Sequence, residues 1–167
     1  GFTLGSDPDA NQNGTTYYYT AFLAAPGEMS VGSYVGNGSS SRSVTGLGFA
    51  PSYVIVMAAD NEHAVQRFAP QTNGQSLQFD ASGETALALL SFEPDGFVVG
   101  PDLRVNGNSK DYYYVAFAET AATIDVSSYS CTFADNRSIP GFGFQPGYVI
   151  IKNRNPFAAA ASRSSAM

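Results

Sequence analysis

The feature that most constrains the fold of this chain is an internal repeat with a fixed offset of 95 residues. The segment Tyr17–Phe22 returns as Tyr112–Phe117, and the segment Gly46–Val56 returns as Gly141–Ile151. The offset is 112 − 17 = 95 in the first case and 141 − 46 = 95 in the second. About a third of the aligned positions are identical without gaps, which indicates duplication. Because this spacing far exceeds the roughly 20–50 residues of a solenoid repeat, it predicts a small domain copied in tandem.

The repeat predicts one complete unit flanked by two partial units. Two full copies need 2 × 95 = 190 residues and the chain has 167, so we expect a piece of a longer repetitive protein. Residues 1–27 are predicted to hold the closing strands of a preceding unit. Residues 28–120 are predicted to form a complete unit, and residues 121–167 to hold the opening strands of a following unit.

The two partial units are complementary, because they correspond to opposite ends of the same 95-residue repeat. We expect Tyr17–Phe22 to add as a strand to an edge near Val126–Tyr129 or Tyr148–Ile151. The strand addition occurs either within the chain or between successive subunits. In the second case the contact is head-to-tail and generates a filament.

The composition is that of a β-rich surface protein. Hydrophobic residues make up 44% of the chain, enough for a packed core, whereas charged residues make up only 13%. The formal net charge of −6 argues against binding to nucleic acid or to an anionic membrane, which requires basic patches. The chain has many Gly, Ser, Thr, Asn, Tyr and Phe residues with few Lys and Glu, a composition from which we expect an extracellular or virion-associated protein.

Short apolar and aromatic runs bounded by Gly, Asn and Pro predict seven or eight antiparallel strands per unit. The run Tyr53–Met57 is unbroken and is expected to be buried on both faces. The turn sequences Gly36–Ser39 and Glu93–Gly96 each predict a hairpin, whereas Thr85–Phe92 fits either a helix or a strand. The predicted fold class is all-β, with antiparallel β-sandwich units in tandem.

The tyrosine-rich strand has two different faces. We expect the core face to consist of Tyr18, Thr20 and Phe22, with their copies Tyr113, Val115 and Phe117. The opposite face then carries Tyr17, Tyr19, Tyr112 and Tyr114. These four tyrosines form either a second buried face between packed domains or a platform that binds a sugar or a partner.

One cation is repeated. Arg42 and Arg137 occupy equivalent positions, each on the strand that leads into a Gly-x-Gly-Phe sequence. The pair predicts a structural arginine satisfied within its own unit, or a contact to a ligand or to the neighbouring unit.

Oxygen-bearing side chains alternate near the start of the chain. Asp7, Asp9, Asn11 and Asn13 are spaced like the ligands of a calcium loop. The second copy of this segment carries Arg104 in the place of one ligand. The segment predicts either a polar loop or a Ca²⁺ site, and no other cofactor is expected.

The sequence predicts that the protein is not an enzyme. His63 is the only histidine, and its copy position is Ala158, so an exposed loop histidine is expected instead of a catalytic one. Asp7 and Asp102 are two copies of one position and do not form a carboxylate pair for glycoside hydrolysis.

Four segments carry a family resemblance: VGSYVGNG, RSVTGLGFAPSYVIV, EPDGFVVG and YYYVAF. Their order resembles the repeat domains of phage tail and surface fibre proteins over nearly the whole chain. Over about residues 42–118 the strand order is also similar to the H-type lectin sandwich. The resemblance implies an antiparallel sandwich that assembles into fibres or binds glycans, and it supplies no catalytic residue.

The function expected from the sequence is that of a non-enzymatic structural repeat protein that builds a fibre, filament or surface array with copies of itself. The alternative is a lectin-like adhesin module that binds a cell-surface glycan or receptor. A third possibility is an accessory domain of a glycan hydrolase.

Overall fold

A computed structural model of the protein describes residues 1–17, 19–132, 134–156 and 159–164. Its elements in chain order are α1 (Pro8–Asn11), β1 (Met29–Val35), β2 (Arg42–Thr45), β3 (Tyr53–Ala58), β4 (Val65–Phe68), β5 (Gln75–Gln78), β6 (Glu84–Ala86), β7 (Leu89–Glu93), β8 (Gly96–Val99), α2 (Leu103–Asn106), β9 (Asp111–Phe117), β10 (Tyr148–Ile151) and β11 (Ala161–Ser164). No helix in these ranges is long and apolar enough to cross a membrane.

The strands β1 to β9 form two antiparallel sheets. The large sheet has the order β1-β9-β3-β4-β5-β6, and the small sheet has the order β2-β8-β7. The predicted all-β, antiparallel sandwich is therefore confirmed. The strands number nine because the run Thr85–Phe92 divides into β6 and β7 at Leu87, whose φ of 65° breaks the extended backbone.

The hydrophobic core lies between the two sheets. Val54 and Val56 of β3 and Phe97 and Val99 of β8 are fully buried there. They alternate along their strands with residues that point the other way, as the pleat requires. The remaining buried members of the cluster are Val44, Leu47, Val65, Ala88, Leu89, Val105, Tyr112 and Ala116. Since each fully buried large apolar side chain contributes about 1.5–3 kcal/mol, this cluster is the main stabilising feature of the sandwich.

The segment Gly36–Ser39 does not close a hairpin, contrary to the prediction. β1 lies in the large sheet beside β9 and β2 lies in the small sheet beside β8, so the segment crosses between sheets. A Cβ at Gly36 would lie 2.1 Å from the Gly107 carbonyl oxygen, so this glycine permits a close backbone approach. The predicted hairpin at Glu93–Gly96 is confirmed, because β7 pairs with β8.

The core face of β9 is the opposite of the predicted one. Tyr112 and Ala116 are fully buried in the core and Tyr114 packs against it, whereas Tyr113 is 52% exposed. The prediction was wrong because the residues on both faces of this strand are largely apolar, so the sequence pattern did not indicate which face lies in the core. The strand register identifies the core face, since Tyr114 lies opposite Val56, a core residue of β3.

The described residues of the segment expected to be the closing strand of the first partial unit do not form a strand. Tyr17 and residues 19–22 belong to no sheet, and Tyr18 lies outside the described residues. Its copy β9 is hydrogen-bonded between β1 and β3. Among the residues that the structure describes, Tyr17 and residues 19–22 have no such flanking strands. In the second partial unit, β10 and β11 form an antiparallel hairpin.

Candidate functional site

The connection that leads into β9 is built from a capped helix and a buried tyrosine. The Asp102 side chain accepts a hydrogen bond from the Arg104 backbone nitrogen at 2.9 Å, which caps α2. The Tyr112 hydroxyl donates to the Leu103 carbonyl at 2.5 Å and accepts from the Gly107 nitrogen at 2.7 Å. These bonds satisfy polar groups at the ends of the helix that would otherwise lack partners.

The same arrangement occurs 95 residues earlier. The Asp7 side chain accepts from the Asp9 backbone nitrogen at 2.9 Å, which caps α1. The Tyr17 hydroxyl donates to the Pro8 carbonyl at 2.7 Å and accepts from the Gln12 nitrogen at 3.1 Å. Each residue here lies 95 positions before its counterpart at α2. The sequence repeat is therefore accompanied by a repeated local geometry, which we call the tyrosine-capped turn.

The two tyrosine-capped turns differ in charge. The Arg104 guanidinium lies 2.5 Å from the Asp102 carboxylate, and both side chains are mostly buried. Burial alone would raise the pKa of Asp102, but hydrogen bonds from the Arg104 side chain and backbone lower that pKa below its usual value. The hydrogen bond to Asp102 in turn raises the pKa of Arg104. In the first turn Asp9 stands at the position of Arg104, so the ion pair has no equivalent there.

The four residues predicted as calcium ligands, Asp7, Asp9, Asn11 and Asn13, lie in and beside α1. Asp7 caps the helix, and the Asn11 side-chain nitrogen donates to the Gly5 carbonyl at 2.6 Å. Within the described ranges, no group of three or more His, Cys, Asp or Glu side chains is placed to hold a metal ion. Calcium binding stays a prediction.

Arg42 and Arg137 make the same two contacts in their respective units. Arg42 donates through Nη1 to the Val35 carbonyl, and its guanidinium lies 5.1 Å from the centroid of the Tyr34 ring. Arg137 makes the same two contacts with the copies of Val35 and Tyr34. It donates to the backbone carbonyl of the first copy, and its guanidinium lies 5.6 Å from the centroid of the tyrosine ring of the second. Both arginines therefore have internal partners of the cation–π and hydrogen-bond kind.

The four tyrosines predicted to form one platform lie in different environments. Tyr112 is buried with its hydroxyl bound to backbone groups, and Tyr114 packs against the core. The Tyr17 hydroxyl is hydrogen-bonded to the backbone of α1. Tyr19 is 75% exposed, and its ring lies beside that of Phe2 at a centroid distance of 5.2 Å. Tyr112 and Tyr114 face the interior, so the structure does not bring the four rings together on one exposed face.

The large sheet presents an apolar face on the side away from the small sheet, and we call it the outer face. Its side chains align in rows across the strands, because residues opposite each other in the register point the same way. The first row is Met29, Phe117, Tyr53 and Phe68; the second is Val31, Val115, Ile55 and the buried Gln66; the third is Ser33, Tyr113 and Met57. Val31, Tyr113 and Met57 are 55%, 52% and 44% exposed. The sequence showed that side chains alternate between the two faces of each strand, but it did not show which residues of neighbouring strands lie opposite each other.

The first row of the outer face is covered by a residue from each partial unit. Phe22 lies edge-on to Phe117 with ring centroids 5.6 Å apart, and edge-on to Tyr148 at 6.0 Å. Tyr53 stacks on Phe117 at 5.7 Å and on Phe68 at 4.6 Å. Burial, with a smaller contribution from Tyr148, raises the pKa of the Tyr53 phenol. These rings border a cleft of about 460 Å³, which we call the aromatic cleft.

A buried arginine that the sequence did not single out holds the turn between β4 and β5. Arg67 is 2% exposed and donates to the carbonyls of Gln71 and Thr72 at 3.1 and 3.0 Å, and to Asn73 Oδ1 at 3.0 Å. Its guanidinium lies 5.5 Å from the centroid of the Phe92 ring. Burial lowers the pKa of Arg67. The side chain thus fixes a turn through several backbone acceptors at once.

The β10–β11 hairpin has the register of the β3–β4 hairpin. Val54 lies opposite Arg67 in the first, and Val149 lies opposite Arg163 in the second. The two valines are 149 − 54 = 95 positions apart, whereas the two arginines are 163 − 67 = 96 positions apart. One extra residue in the connecting loop therefore concealed this equivalence from an ungapped comparison.

His63 is exposed in a loop, as predicted, with Nε2 3.9 Å from the Asp80 carboxylate. Neither residue takes part in the aromatic cleft or in the tyrosine-capped turns.

Comparison with protein families gives a match over most of the chain. The model of DUF7483, described as a domain of unknown function, matches residues 27–159. Comparisons with curated proteins and with solved structures found no match.

Proposed function

We propose that this chain, which belongs to the DUF7483 family of domains of unknown function, is a non-enzymatic structural repeat protein that assembles into a fibre, filament or surface array. Its partners are further copies of itself, and it acts outside the cell or on the surface of a virion. Its units are β-sandwiches repeated every 95 residues. This arrangement resembles that of phage tail and surface fibre proteins.

The observation that carries this proposal is the recurrence of the tyrosine-capped turn at two positions 95 residues apart. In each turn an aspartate caps a four-residue helix and a tyrosine hydroxyl bridges both ends of that helix. In each turn the tyrosine hydroxyl is bound to the backbone of its own turn. The repetition of this turn supports a chain that builds the same module more than once, which is the construction of fibres and arrays.

The outer face supports contact between modules. Its second and third rows continue directly from the first row, which residues of the partial units already cover. Contiguous exposed apolar surface of this kind marks interaction sites. Because the exposed members of these rows, Val31, Tyr113 and Met57, extend a contact made between units of this chain, a further copy of the unit is the partner that fits them.

Carbohydrate binding is the second candidate. The rings of Tyr19 and Tyr113 are 75% and 52% exposed, and exposed tyrosine rings can stack on sugars. Glycan recognition by these rings would make the protein an adhesin instead of a building unit.

Two measurements test the proposal and separate the candidates. Sedimentation velocity over a wide concentration range should show the mean mass of the protein rising with concentration. A glycan array should show no saturable binding. A monomer at every concentration would overturn the structural proposal, and specific glycan binding that is lost in Tyr113→Ala or Tyr19→Ala would favour the adhesin.

A further inference from the structure

We infer that residues 17–22 belong beside β10 of the same chain, in the register that β9 has beside β3, so that the two partial units together form a second sandwich unit. This second unit packs face to face on the first through the aromatic cleft. The inference rests on the proposed function, since it names which segments complete a unit and what that unit packs against.

Both partial units already contain the local geometry of the complete one. The first has the tyrosine-capped turn at Tyr17, which in the complete unit leads into β9. The second has the contacts of Arg137 and the β10–β11 hairpin, which match those of Arg42 and of β3–β4. The two partial units therefore contain different and complementary parts of one sandwich unit.

A ring contact joins the two partial units at matching positions. In the complete unit Phe117 lies opposite Tyr53 in the register, and their rings are 5.7 Å apart. The copies of these residues are Phe22 and Tyr148, and their rings are 6.0 Å apart. The copied residues are thus in ring contact although they are 126 positions apart in the chain. The first pair is stacked, with an interplanar angle of 19°, whereas the second is edge-on at 71°.

One edge of β10 is open to receive this segment. β3 is paired on one side with β4 and on the other with β9, whereas in the described residues β10 is paired only with β11. An open edge leaves backbone donors and acceptors without strand partners, which favours addition of a further strand. Residues 17–22 carry the sequence of the strand that fills this position in the complete unit.

The two units meet through equivalent residues. Phe22 and Phe117 are copies of each other, and their rings are in contact at 5.6 Å. Tyr53 and its copy Tyr148 both line the aromatic cleft. When copies contact each other, the interface is self-complementary, as in a two-fold symmetric dimer. The partner of the first row of the outer face is therefore the same row of another unit.

The experiment is disulfide trapping in the full chain with Cys131→Ser, which removes the only native thiol. The test pair is Phe22→Cys with Tyr148→Cys, because residues opposite each other in antiparallel strands have Cα atoms about 4.5–5.5 Å apart, within disulfide reach. The matched control is Ala21→Cys with Tyr148→Cys, whose thiols would lie on opposite faces. We expect the test pair to form a disulfide within the monomer at least about tenfold faster than the control.

A second measurement is needed in case the cysteine substitutions themselves displace residues 17–22 from β10. In the otherwise native chain, Phe22→Ala should increase hydrogen exchange at residues 148–151 by about tenfold or more, while exchange in β3 and β8 stays unchanged. This increase with or without the disulfide supports the inference. A disulfide formed only between chains, disulfides that form at the same rate in the test and control pairs, or unchanged exchange in Phe22→Ala would overturn it. These outcomes leave the proposed function open to its own test, because association of complete units does not require pairing of the partial ones.

Discussion

The hydroxyl of Tyr112 donates a hydrogen bond to the backbone carbonyl of Leu103 at 2.5 Å. The same hydroxyl accepts from the Gly107 nitrogen, so one buried atom joins the start of α2 to its end and to the first residues of β9. Tyr17 repeats this relationship with Pro8 at 2.7 Å in the first partial unit. The first tyrosine of the repeated Tyr-Tyr-Tyr sequence is therefore a structural residue.

Replacing Tyr112 with phenylalanine should destabilise the sandwich by about 1–3 kcal/mol, because two buried backbone groups lose their partner. The matched control is Tyr113→Phe, the neighbouring residue on the exposed face, which should change the free energy of unfolding by less than about 0.5 kcal/mol. Urea denaturation followed by circular dichroism measures both. Equal losses in the two variants would mean that the assignment of faces on β9 is wrong.

Replacing Arg67 with lysine should destabilise the protein by about 3 kcal/mol or more, because a buried charge then lacks the geometry to reach several carbonyls. We also expect faster hydrogen exchange at residues 71–75, the turn that Arg67 holds. The control is Arg163→Lys at the equivalent but exposed position, which should have little effect. Comparable losses at both positions would contradict a special role for Arg67.

Removing the charge of Asp102 should make stability less dependent on acid. The folded-state pKa of Asp102 is lowered, so its carboxylate contributes stability that is complete above the unfolded-state pKa of about 3.9. That contribution disappears as the pH falls through the lower folded-state pKa. Asp102→Asn should therefore be less stable than wild type at pH 7 and should lose less stability between pH 5 and 2.

The control for this change is Asp7→Asn, at the tyrosine-capped turn that has no arginine. Unfolding free energies measured over the same pH range should be nearly the same for Asp7→Asn and wild type. An Asp102→Asn variant with the full acid sensitivity of wild type would show that the ion pair with Arg104 does not stabilise the fold.

Most of the sandwich could be predicted from the sequence. Strand positions followed from short apolar runs bounded by turn residues, and the hairpin at Glu93–Gly96 followed from its turn chemistry. The crossover at Gly36 could not be predicted, because a glycine needed for close approach to Gly107 looks the same in a sequence as a glycine needed for a turn.

The candidate site could be predicted only in part. The repeat identified Tyr17, Tyr112, Arg42 and Arg137 as special residues, but long-range contacts decide what they do. Tyr112 was placed on the wrong face because its neighbours are apolar on both sides of the strand. The aromatic cleft was not foreseen at all, since it joins residues such as Phe22 and Tyr148 that only the tertiary structure brings together.

Placing a charge on the uncovered outer face should weaken self-association. Met57 is 44% exposed in the third row, so Met57→Glu should leave the fold intact and weaken the contact with another copy at least about tenfold, since burying an unpaired carboxylate is costly. Leu103→Glu, at an exposed apolar residue of α2, is the matched control and should not alter association. Sedimentation velocity compares the three proteins, and identical association of Met57→Glu and wild type would exclude the outer face as the contact.

Electron microscopy of the purified protein at rising concentration tests the central claim, assembly into a fibre or array, most directly. We predict filaments or ordered arrays for wild type and for Leu103→Glu, with few or none for Met57→Glu. Only isolated particles of monomer size at every concentration, in a preparation whose circular dichroism shows a folded β protein, would contradict the account.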